Sequence, residues 1–238
     1  MKFESEAPIA ECEMAETPQT SLHGTARRRI FILDDHPMVR EGIRKLIEEH
    51  PDLMVCGEAV SSREASEAVD RCCPDLVIVD LSLRDSIGLD FIKTTRARYP
   101  KIAILVLSMH EDPVIVERAL KIGALGYVSK SEGLTTLFEG IYEVLGGRHY
   151  LSPIVKKKLV DNEFTSDESK GPSMAMLSDR ELEVFQILAA GQPISKIAGL
   201  LHLSVKTVEG YCAHIRKKLG LTNNQALILE ACRRFPGY

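Results

Sequence analysis

Between Ile30 and Gly147 the sequence alternates short apolar runs with amphipathic segments, and this alternation restricts the fold more than any other feature. The apolar runs are Ile30–Leu33, Leu53–Cys56, Leu76–Val79, Ile102–Leu107 and Ala124–Val128. Runs of this length predict buried β-strands, and the apolar stripe within residues 39–47 predicts a helix between two of them. Strands that alternate with helices predict an α/β fold, here a doubly wound parallel sheet of five strands covered on both faces.

Polar residues stand at the points where these strands end. Asp34 and Asp35 follow the first run, Asp80 the third, Ser108 the fourth, and Lys130 comes soon after the fifth. The carboxyl ends of parallel strands share one edge of the sheet, so these side chains are expected to meet there. Any one of them alone would be an ordinary turn or surface residue. Their shared position predicts a functional site.

The chemistry of these residues favours phosphoryl transfer. Neighbouring carboxylates attract a hard cation, and Mg²⁺ is the usual one where phosphate is handled. A carboxylate can also be the nucleophile and form an aspartyl phosphate. A lysine and a serine hydroxyl at the same edge would contact the phosphate oxygens.

A second, all-helical block begins at Leu177. Ser178 and Glu181 form a capping box that starts its first helix, and a turn near His202 separates a short second helix from a third that Ser204 caps. On the third helix the apolar residues recur at i, i+4, i+7 and i+11, which predicts a core stripe. The stripe consists of Val208, Cys212, Ile215 and Leu219.

The opposite face of the third helix is small or mixed at its start and basic at its end. It carries Lys206, Glu209, Gly210, Ala213, Arg216 and Lys217. Such a face suits the major groove of DNA, with base edges near the start of the helix and phosphates near its end. Residues 177–238 hold eight basic and five acidic residues in a chain of net charge −4, which agrees with a polyanion partner.

Composition divides the chain into four segments. We expect a disordered acidic leader at residues 1–26, a first domain at 27–150, a linker at 151–176 and a second domain at 177–238. No apolar run approaches the roughly 20 residues that a membrane span needs. The six cysteines lack paired C-x-x-C spacing, so reduced thiols in a soluble cytoplasmic protein are expected.

Residues 30–147 resemble the receiver domain of bacterial two-component response regulators. The matching segments are IFILDDHPMVREGI, LVIVDLSLRDSIGLD, ILVLSMH and GALGYVSK. The resemblance implies a flavodoxin-like strand order of 2-1-3-4-5 and a histidine kinase that phosphorylates Asp80. It further implies that Mg²⁺ is held by Asp34, Asp35, Asp80 and the backbone carbonyl of Ser82. Ser108 would then be the switch hydroxyl, Lys130 the phosphate-pairing lysine, and Tyr127 the aromatic that rotates on activation.

Residues 177–232 resemble the LuxR-type helix-turn-helix, through the motif LSDRELEVFQILAAG…KIAGLLHLSVKTVEGYCAHIRKKLGL. The combination is typical of the NarL/FixJ type of response regulator. The resemblance implies that double-stranded DNA is contacted by Lys206, Thr207, Glu209, Ala213, His214, Arg216 and Lys217. It also implies a fourth helix, at residues 222–232, that joins two copies into a homodimer.

Two segments depart from the family patterns. Leu83-Arg84 stands where a receiver often has Met-Pro, and Pro193-Ile194-Ser195-Lys196 replaces a polar cap before the second helix. The first departure lies beside Asp80, so the pairing with a kinase or the dephosphorylation rate is open to change. The second adds a lysine where the helix dipole disfavours one.

The sequence thus predicts a transcription regulator that Asp80 phosphorylation shifts toward a DNA-binding dimer. One alternative is a regulator that does not depend on phosphorylation and uses the receiver as a dimerisation module. Another is an aspartate-nucleophile phosphatase, which usually carries a second acid two residues after the nucleophile. That position is Ser82 here, which speaks against an enzyme.

Overall fold

The computed structural model describes residues 26–83, 88–165 and 174–235. The predicted acidic leader, apart from Ala26, and Arg84 of the departing loop lie outside the described residues. Residues 26–83 and 88–151 form an α/β unit, called here the sheet unit, and residues 174–235 form an all-helical unit, called here the helical unit.

The sheet unit contains one parallel sheet in the order β2-β1-β3-β4-β5-β6, which confirms the predicted order of the first five strands. The strands are β1 (Arg28–Leu33), β2 (Leu53–Ala59), β3 (Leu76–Val79), β4 (Ala103–Ser108), β5 (Gly126–Ser129) and β6 (Tyr150–Leu151). The three central strands β1, β3 and β4 are in register near their carboxyl ends, since Leu33 pairs with Val79 and Val79 pairs with Val106. Their carboxyl ends therefore lie side by side.

The sixth strand corrects the prediction of a five-stranded sheet. After the fifth helix the chain turns at Gly147, whose φ of +76° favours glycine. The Tyr150 N–H then donates to the Leu125 carbonyl and the Ser152 N–H to the Tyr127 carbonyl, both at 3.0 Å. A strand of two residues is too short to show the alternation of apolar and polar side chains that marks a strand, so it could not be predicted from the sequence pattern.

Five helices cover the two faces of the sheet. They are α1 (Pro37–Glu48), α2 (Ser62–Cys72), α3 (Gly88–Arg98), α4 (Pro113–Lys121) and α5 (Leu134–Leu145). One face packs on α1 and α5, around Ile30, Ile32 and Leu105. The other packs on α2, α3 and α4 around Phe31 and Val77, and the same core continues into the helical unit. The helical unit therefore lies on the α4 side of the sheet.

The helical unit consists of a short 3-10 helix (Met174–Met176) and four α-helices. These are α7 (Asp179–Ala189), α8 (Ile194–Leu200), α9 (Val205–Leu219) and α10 (Asn224–Arg234). The predicted capping box is present at the start of α7, where Ser178 and Glu181 each bond the backbone N–H of the other. Pro193 stands at the N-cap of α8 and supplies no capping side chain. His202, with φ +54°, makes the turn to α9.

The predicted linker contains a 13-residue helix, α6 (Pro153–Thr165). This helix lies beside α4 and β5, with Val155 fully buried. Within the part of the chain that the structure describes, no helix combines the length and the apolar character that a bilayer crossing requires.

Candidate phosphoacceptor site and nucleic-acid interface

Three of the predicted acceptor-site residues are buried at the carboxyl edge of the sheet. The exposed fraction is 2% for Asp34, after β1, 1% for Asp80, after β3, and 0% for Ser108, the last residue of β4. The strand residues that precede each of them are apolar and buried, so these three polar side chains mark the boundary between the apolar core and the polar edge of the sheet. The structure thus brings together residues that are up to 74 positions apart in the sequence.

Lys130 joins two of these carboxylates. Its Nζ atom lies 2.6 Å from Asp80 Oδ2 and 2.7 Å from Asp34 Oδ2. The Lys130 backbone N–H donates to the Ser108 carbonyl at 2.9 Å, which continues the pairing of β5 with β4 past the end of the strand. This places the lysine directly over the acidic edge, as its predicted role requires.

His36 also lies at the acidic edge, although it was not among the residues predicted from the sequence. Its Nδ1 atom is 2.9 Å from Asp35 Oδ1, 3.3 Å from Asp34 Oδ1 and 3.8 Å from Asp80 Oδ2. Ligand atoms of these four residues all lie within 4.8 Å of one another, as the donors of a metal ion would. The position of His36 directly after the acidic pair was the signal that could have revealed it.

The site holds more negative charge than its cations balance. Lys130 contacts two of the three carboxylates, those of Asp34 and Asp80. Burial raises the pKa of Asp80, with a further contribution from the charge of Asp34. Lys130 and the Ser82 N–H oppose that rise and do not cancel it. Oxygen donors in this number and charge are the ligands that a hard divalent cation prefers, so the donor set fits Mg²⁺.

The loop after Asp80 turns back toward the Asp80 carboxylate. The Ser82 N–H donates to Asp80 Oδ1 at 3.0 Å, and Ser82 Oγ lies 2.9 Å from His110 Nε2. Gly88, at the start of α3, approaches so closely that a Cβ there would lie 2.5 Å from the Asp80 carbonyl oxygen. A side chain at Gly88 would therefore displace the end of β3.

The two predicted switch residues both contact the backbone of His110. Ser108 Oγ accepts from the His110 N–H at 3.2 Å, and the Tyr127 hydroxyl donates to the His110 carbonyl at 2.5 Å. Tyr127 is fully buried, and burial raises its pKa. His110, which is 3% exposed, was not among the residues predicted from the sequence. Its position two residues beyond Ser108 gave only a weak signal.

Helix α9 displays the polar face that the sequence predicted. Six of the seven predicted DNA-contact residues are exposed, and the seventh, Arg216, is half-buried. The six are Lys206, Thr207, Glu209, Ala213, His214 and Lys217. Apart from its chain neighbours and the backbone of α9, no atom of the described residues lies within 4 Å of the position that a Cβ on Gly210 would take, so the middle of this face is open.

The other face of α9 holds the helix to its unit. Val208, Cys212 and Ile215 are buried as predicted, whereas Leu219 is only half-buried because it lies in the last turn. Lys218 Nζ donates to Glu181 Oε2 at 2.6 Å, which ties the end of α9 to the capping box of α7. The exposed face is therefore presented by a firmly anchored helix.

Comparison with known proteins finds two family models. Residues 30–142 match the response regulator receiver domain, and residues 175–231 match the luxR family of bacterial regulatory proteins. Similar curated proteins include the transcriptional regulatory protein UhpA of Salmonella typhimurium, 35% identical over 88% of this chain and 98% of its own. The transcriptional activator protein ExaE of Pseudomonas putida is 32% identical over 84% of this chain and 93% of its own.

Solved structures of the response regulator RcsB from Salmonella typhimurium are also similar. One has a TM-score of 0.72 and 27% identity over 89% of this chain and all of the other. Another, bound to promoter rprA in the presence of the phosphomimetic BeF₃⁻, has a TM-score of 0.69 and 28% identity over 87% of this chain and 98% of the other. The chain therefore belongs to the family of DNA-binding response regulators, in which a receiver domain is joined to a LuxR-type helix-turn-helix domain and regulates transcription.

Proposed function

We propose that Asp80 accepts a phosphoryl group from a histidine kinase and that this modification controls DNA binding by the helical unit. The observation that carries the proposal is the acceptor geometry: Asp80 is buried at a strand end, with Lys130 on one carboxylate oxygen and the Ser82 N–H on the other. Both groups offer a donor where the oxygens of a phosphoryl group would arrive.

In this reaction a carboxylate oxygen of Asp80 forms a bond to phosphorus. The bond between phosphorus and the leaving group, the imidazole nitrogen of the kinase's phosphohistidine, breaks, and the imidazole keeps the electron pair. The product is an acyl phosphate. The Lys130 ammonium would then offset part of its added charge, and the Ser108 hydroxyl would donate a hydrogen bond to a phosphoryl oxygen. The chain is a regulator in this scheme, since its own carboxylate is the substrate.

Asp34, Asp35 and Asp80, together with the Ser82 backbone carbonyl, are the residues that would hold Mg²⁺. When bound, the ion supplies positive charge that offsets the incoming phosphoryl group. The support is the donor set itself: ligand atoms of the three carboxylates and of His36 lie within 4.8 Å of one another. His36 lies among them and is the residue that an arriving cation would have to displace or recruit.

For DNA, we assign base-edge contacts to the first part of the exposed α9 face and phosphate contacts to Arg216 and Lys217. The support is the exposure of this face and its anchoring from behind. Homodimerisation through α10 is supported by two apolar side chains that this helix leaves in solvent, Leu229 at 72% and Ile228 at 41% exposed. The protein would act in the cytoplasm, where its kinase and promoters are accessible.

The experiment is phosphorylation by acetyl phosphate with Mg²⁺, followed by intact-mass analysis and by DNA-binding measurements on the same samples. The wild type should gain one phosphoryl group and bind its promoter more tightly. Asp80→Asn should do neither, whereas Asp70→Asn, which changes an exposed aspartate paired with Arg98, should behave as the wild type.

Equal promoter affinity for the treated wild type and Asp80→Asn would contradict the proposal. It would favour the regulator that works without phosphorylation. A phosphoryl group on another residue would contradict the assignment of Asp80 alone.

A further inference from the structure

His110 is the residue on which the groups around Asp80 converge. Its backbone N–H donates to Ser108 Oγ, its carbonyl accepts from the Tyr127 hydroxyl, and its ring nitrogen Nε2 lies 2.9 Å from Ser82 Oγ. Ser82 in turn bonds the Asp80 carboxylate through its own N–H. A rearrangement at Asp80, Ser108 or Tyr127 therefore changes a contact of His110.

The ring of His110 is covered by the helical unit. Phe235, at the C-terminal end of α10, meets it edge-to-face, with ring centroids 5.1 Å apart and an interplanar angle of 88°. Phe235 is 1% exposed and also packs at 5.7 Å on Phe185 of α7. Phe235 belongs to the core of the helical unit, where side chains are closely packed. A displacement of its ring would therefore also displace α7 and α10.

Further contacts between the units lie on the same segment of the sheet unit, the loop 109–112 and helix α4. Arg234, beside Phe235, reaches Asp112 at 3.4 Å, and Asp112 caps the start of α4. Arg118 of α4 donates to the backbone carbonyls of Met174 and Leu177. The helical unit thus contacts the segment that directly follows Ser108, and it also contacts α3, where Arg180 lies 3.8 Å from Asp90.

We propose that His110 and Phe235 form a latch that couples the state of Asp80 to the docking of the helical unit; the proposal rests on phosphorylation of Asp80. When the Ser108 hydroxyl turns to donate to the phosphoryl group, it moves away from the His110 N–H. The segment 109–112 then loses the hydrogen bond from the His110 N–H to Ser108 and shifts. The contact between the His110 and Phe235 rings changes as a result. His110 is a positioning residue in this scheme, since it acts through Ser82, Ser108 and Phe235.

Coupling between two sites is reciprocal, so the latch has a consequence that can be measured at the acceptor. A substitution that loosens the Phe235 contact must raise the affinity of Asp80 for a phosphoryl analogue by the factor that links the two sites. The effect appears even though Phe235 belongs to the other unit. A merely structural role for Phe235 would not produce it.

The experiment uses the full chain and beryllofluoride with Mg²⁺, whose binding is followed by ¹⁹F NMR. Phe235→Leu keeps an apolar side chain in the unit core and removes the aromatic edge contact. Phe138→Leu is the matched control, because Phe138 stacks on His50, with centroids 4.0 Å apart, away from the latch. Arg234→Ala and Arg233→Ala form a second pair: both arginines bond Glu230, and Arg234 alone of the two reaches Asp112.

We expect Phe235→Leu to bind beryllofluoride at least about fivefold more tightly than the wild type, and Arg234→Ala to shift the affinity in the same direction. Both controls should match the wild type. Small-angle scattering without any ligand should give a larger radius of gyration for Phe235→Leu and Arg234→Ala. That readout does not depend on Asp80 being the acceptor.

The two proposals fail in different ways. If the wild type binds beryllofluoride and folded Phe235→Leu and Arg234→Ala bind it no more tightly than their controls, the latch is wrong and the acceptor assignment stands. If the wild type does not bind beryllofluoride but the two variants expand in solution, the docking contact stands and its coupling to Asp80 is wrong. Circular dichroism of each variant establishes that it is folded.

Discussion

Lys130 Nζ lies 2.6 Å from Asp80 Oδ2, although β4 separates their strands β5 and β3 in the sheet. The lysine spans this distance by reaching over the end of β4, where Ser108 stands. The Lys130 side chain is 11% exposed and that of Asp80 is 1% exposed, so the pair is held in a largely dry environment. A buried cation of this kind stabilises the fold only as long as its carboxylate partners keep their charge.

Lys130→Met should lower the free energy of unfolding by about 3 kcal/mol, because Asp34 and Asp80 would stay buried without their cation. Mg²⁺ held at the proposed site of the folded state would restore part of this loss, more in the variant than in the wild type. Urea denaturation in chelator and in Mg²⁺ measures both effects. Lys121→Met, which removes an exposed lysine, is the control; equal Mg²⁺ stabilisation of all three proteins would show that Lys130 does not oppose the cation.

His110 should make the protein less stable in mild acid. Burial, with a contribution from the charge of Lys130, lowers the pKa of His110 from 6.5 to about 4. The unfolded chain therefore takes up a proton as the pH falls below about 6.5, and the folded chain does so only near pH 4. Stability contributed by the neutral imidazole is complete above this window and is lost within it.

The total loss attributable to His110 is about 3 kcal/mol, since each unit of pKa shift is worth about 1.4 kcal/mol. His110→Gln should accordingly show a flatter decline of unfolding free energy between pH 7 and about pH 4. The difference between the wild-type and variant slopes isolates this residue from the acidic groups. His149→Asn, which changes an exposed histidine, corrects for the loss of one imidazole; parallel curves for all three proteins would refute the assignment.

Gly210→Ala should stabilise the helical unit and weaken DNA binding. Alanine favours a helix interior by about 1 kcal/mol over glycine. Among the described residues, apart from the chain neighbours of Gly210 and the backbone of α9, no atom lies within 4 Å of the added Cβ. On the DNA side the methyl group would occupy the open middle of the α9 face. Gly199→Ala, also in open space but on α8, should raise stability without the loss of affinity. Thermal unfolding and fluorescence anisotropy with duplex DNA measure the two effects, and unchanged affinity for Gly210→Ala would exclude close approach at this residue.

Lys217 and Lys218 are adjacent on α9 and should differ in their contribution to DNA binding. Lys217 is exposed, whereas Lys218 is bonded to Glu181. Each phosphate contact contributes about 0.9 to the slope of log affinity against log salt. Lys217→Ala should reduce that slope by about this amount, and Lys218→Ala should change it less while lowering stability. The reverse order of the two slopes would place the phosphate backbone on the other side of the helix.

Much of this site was predictable because its position follows from periodicity. Apolar runs mark the ends of strands, and parallel strands bring their ends together, so Asp80, Ser108 and Lys130 could be selected without coordinates. The α9 face was predictable for the same reason, since the stripe of Val208 and Cys212 defines the opposite side of the helix.

The remaining features depend on contacts that no local pattern encodes. Strand β6 forms because the backbone N–H groups of Tyr150 and Ser152 donate to carbonyl groups of residues 125 and 127, more than 20 positions earlier in the chain. The contact of His110 with Phe235 joins residues 125 positions apart and arises from how two separately patterned units pack. His36 was overlooked because a single histidine after two aspartates is also typical of an ordinary turn.

The contacts of Phe235, Arg234 and Arg118 with the sheet unit are made within one chain. Two surfaces that share a chain meet at an effective concentration on the order of millimolar, so surfaces of only millimolar intrinsic affinity would already be docked about half of the time. An equilibrium poised in this way responds steeply to small changes: a bias of 1.4 kcal/mol shifts the docked-to-undocked ratio about tenfold. Under the proposed mechanism, an interface of this modest strength would let phosphorylation of a single side chain shift the docking of the helical unit.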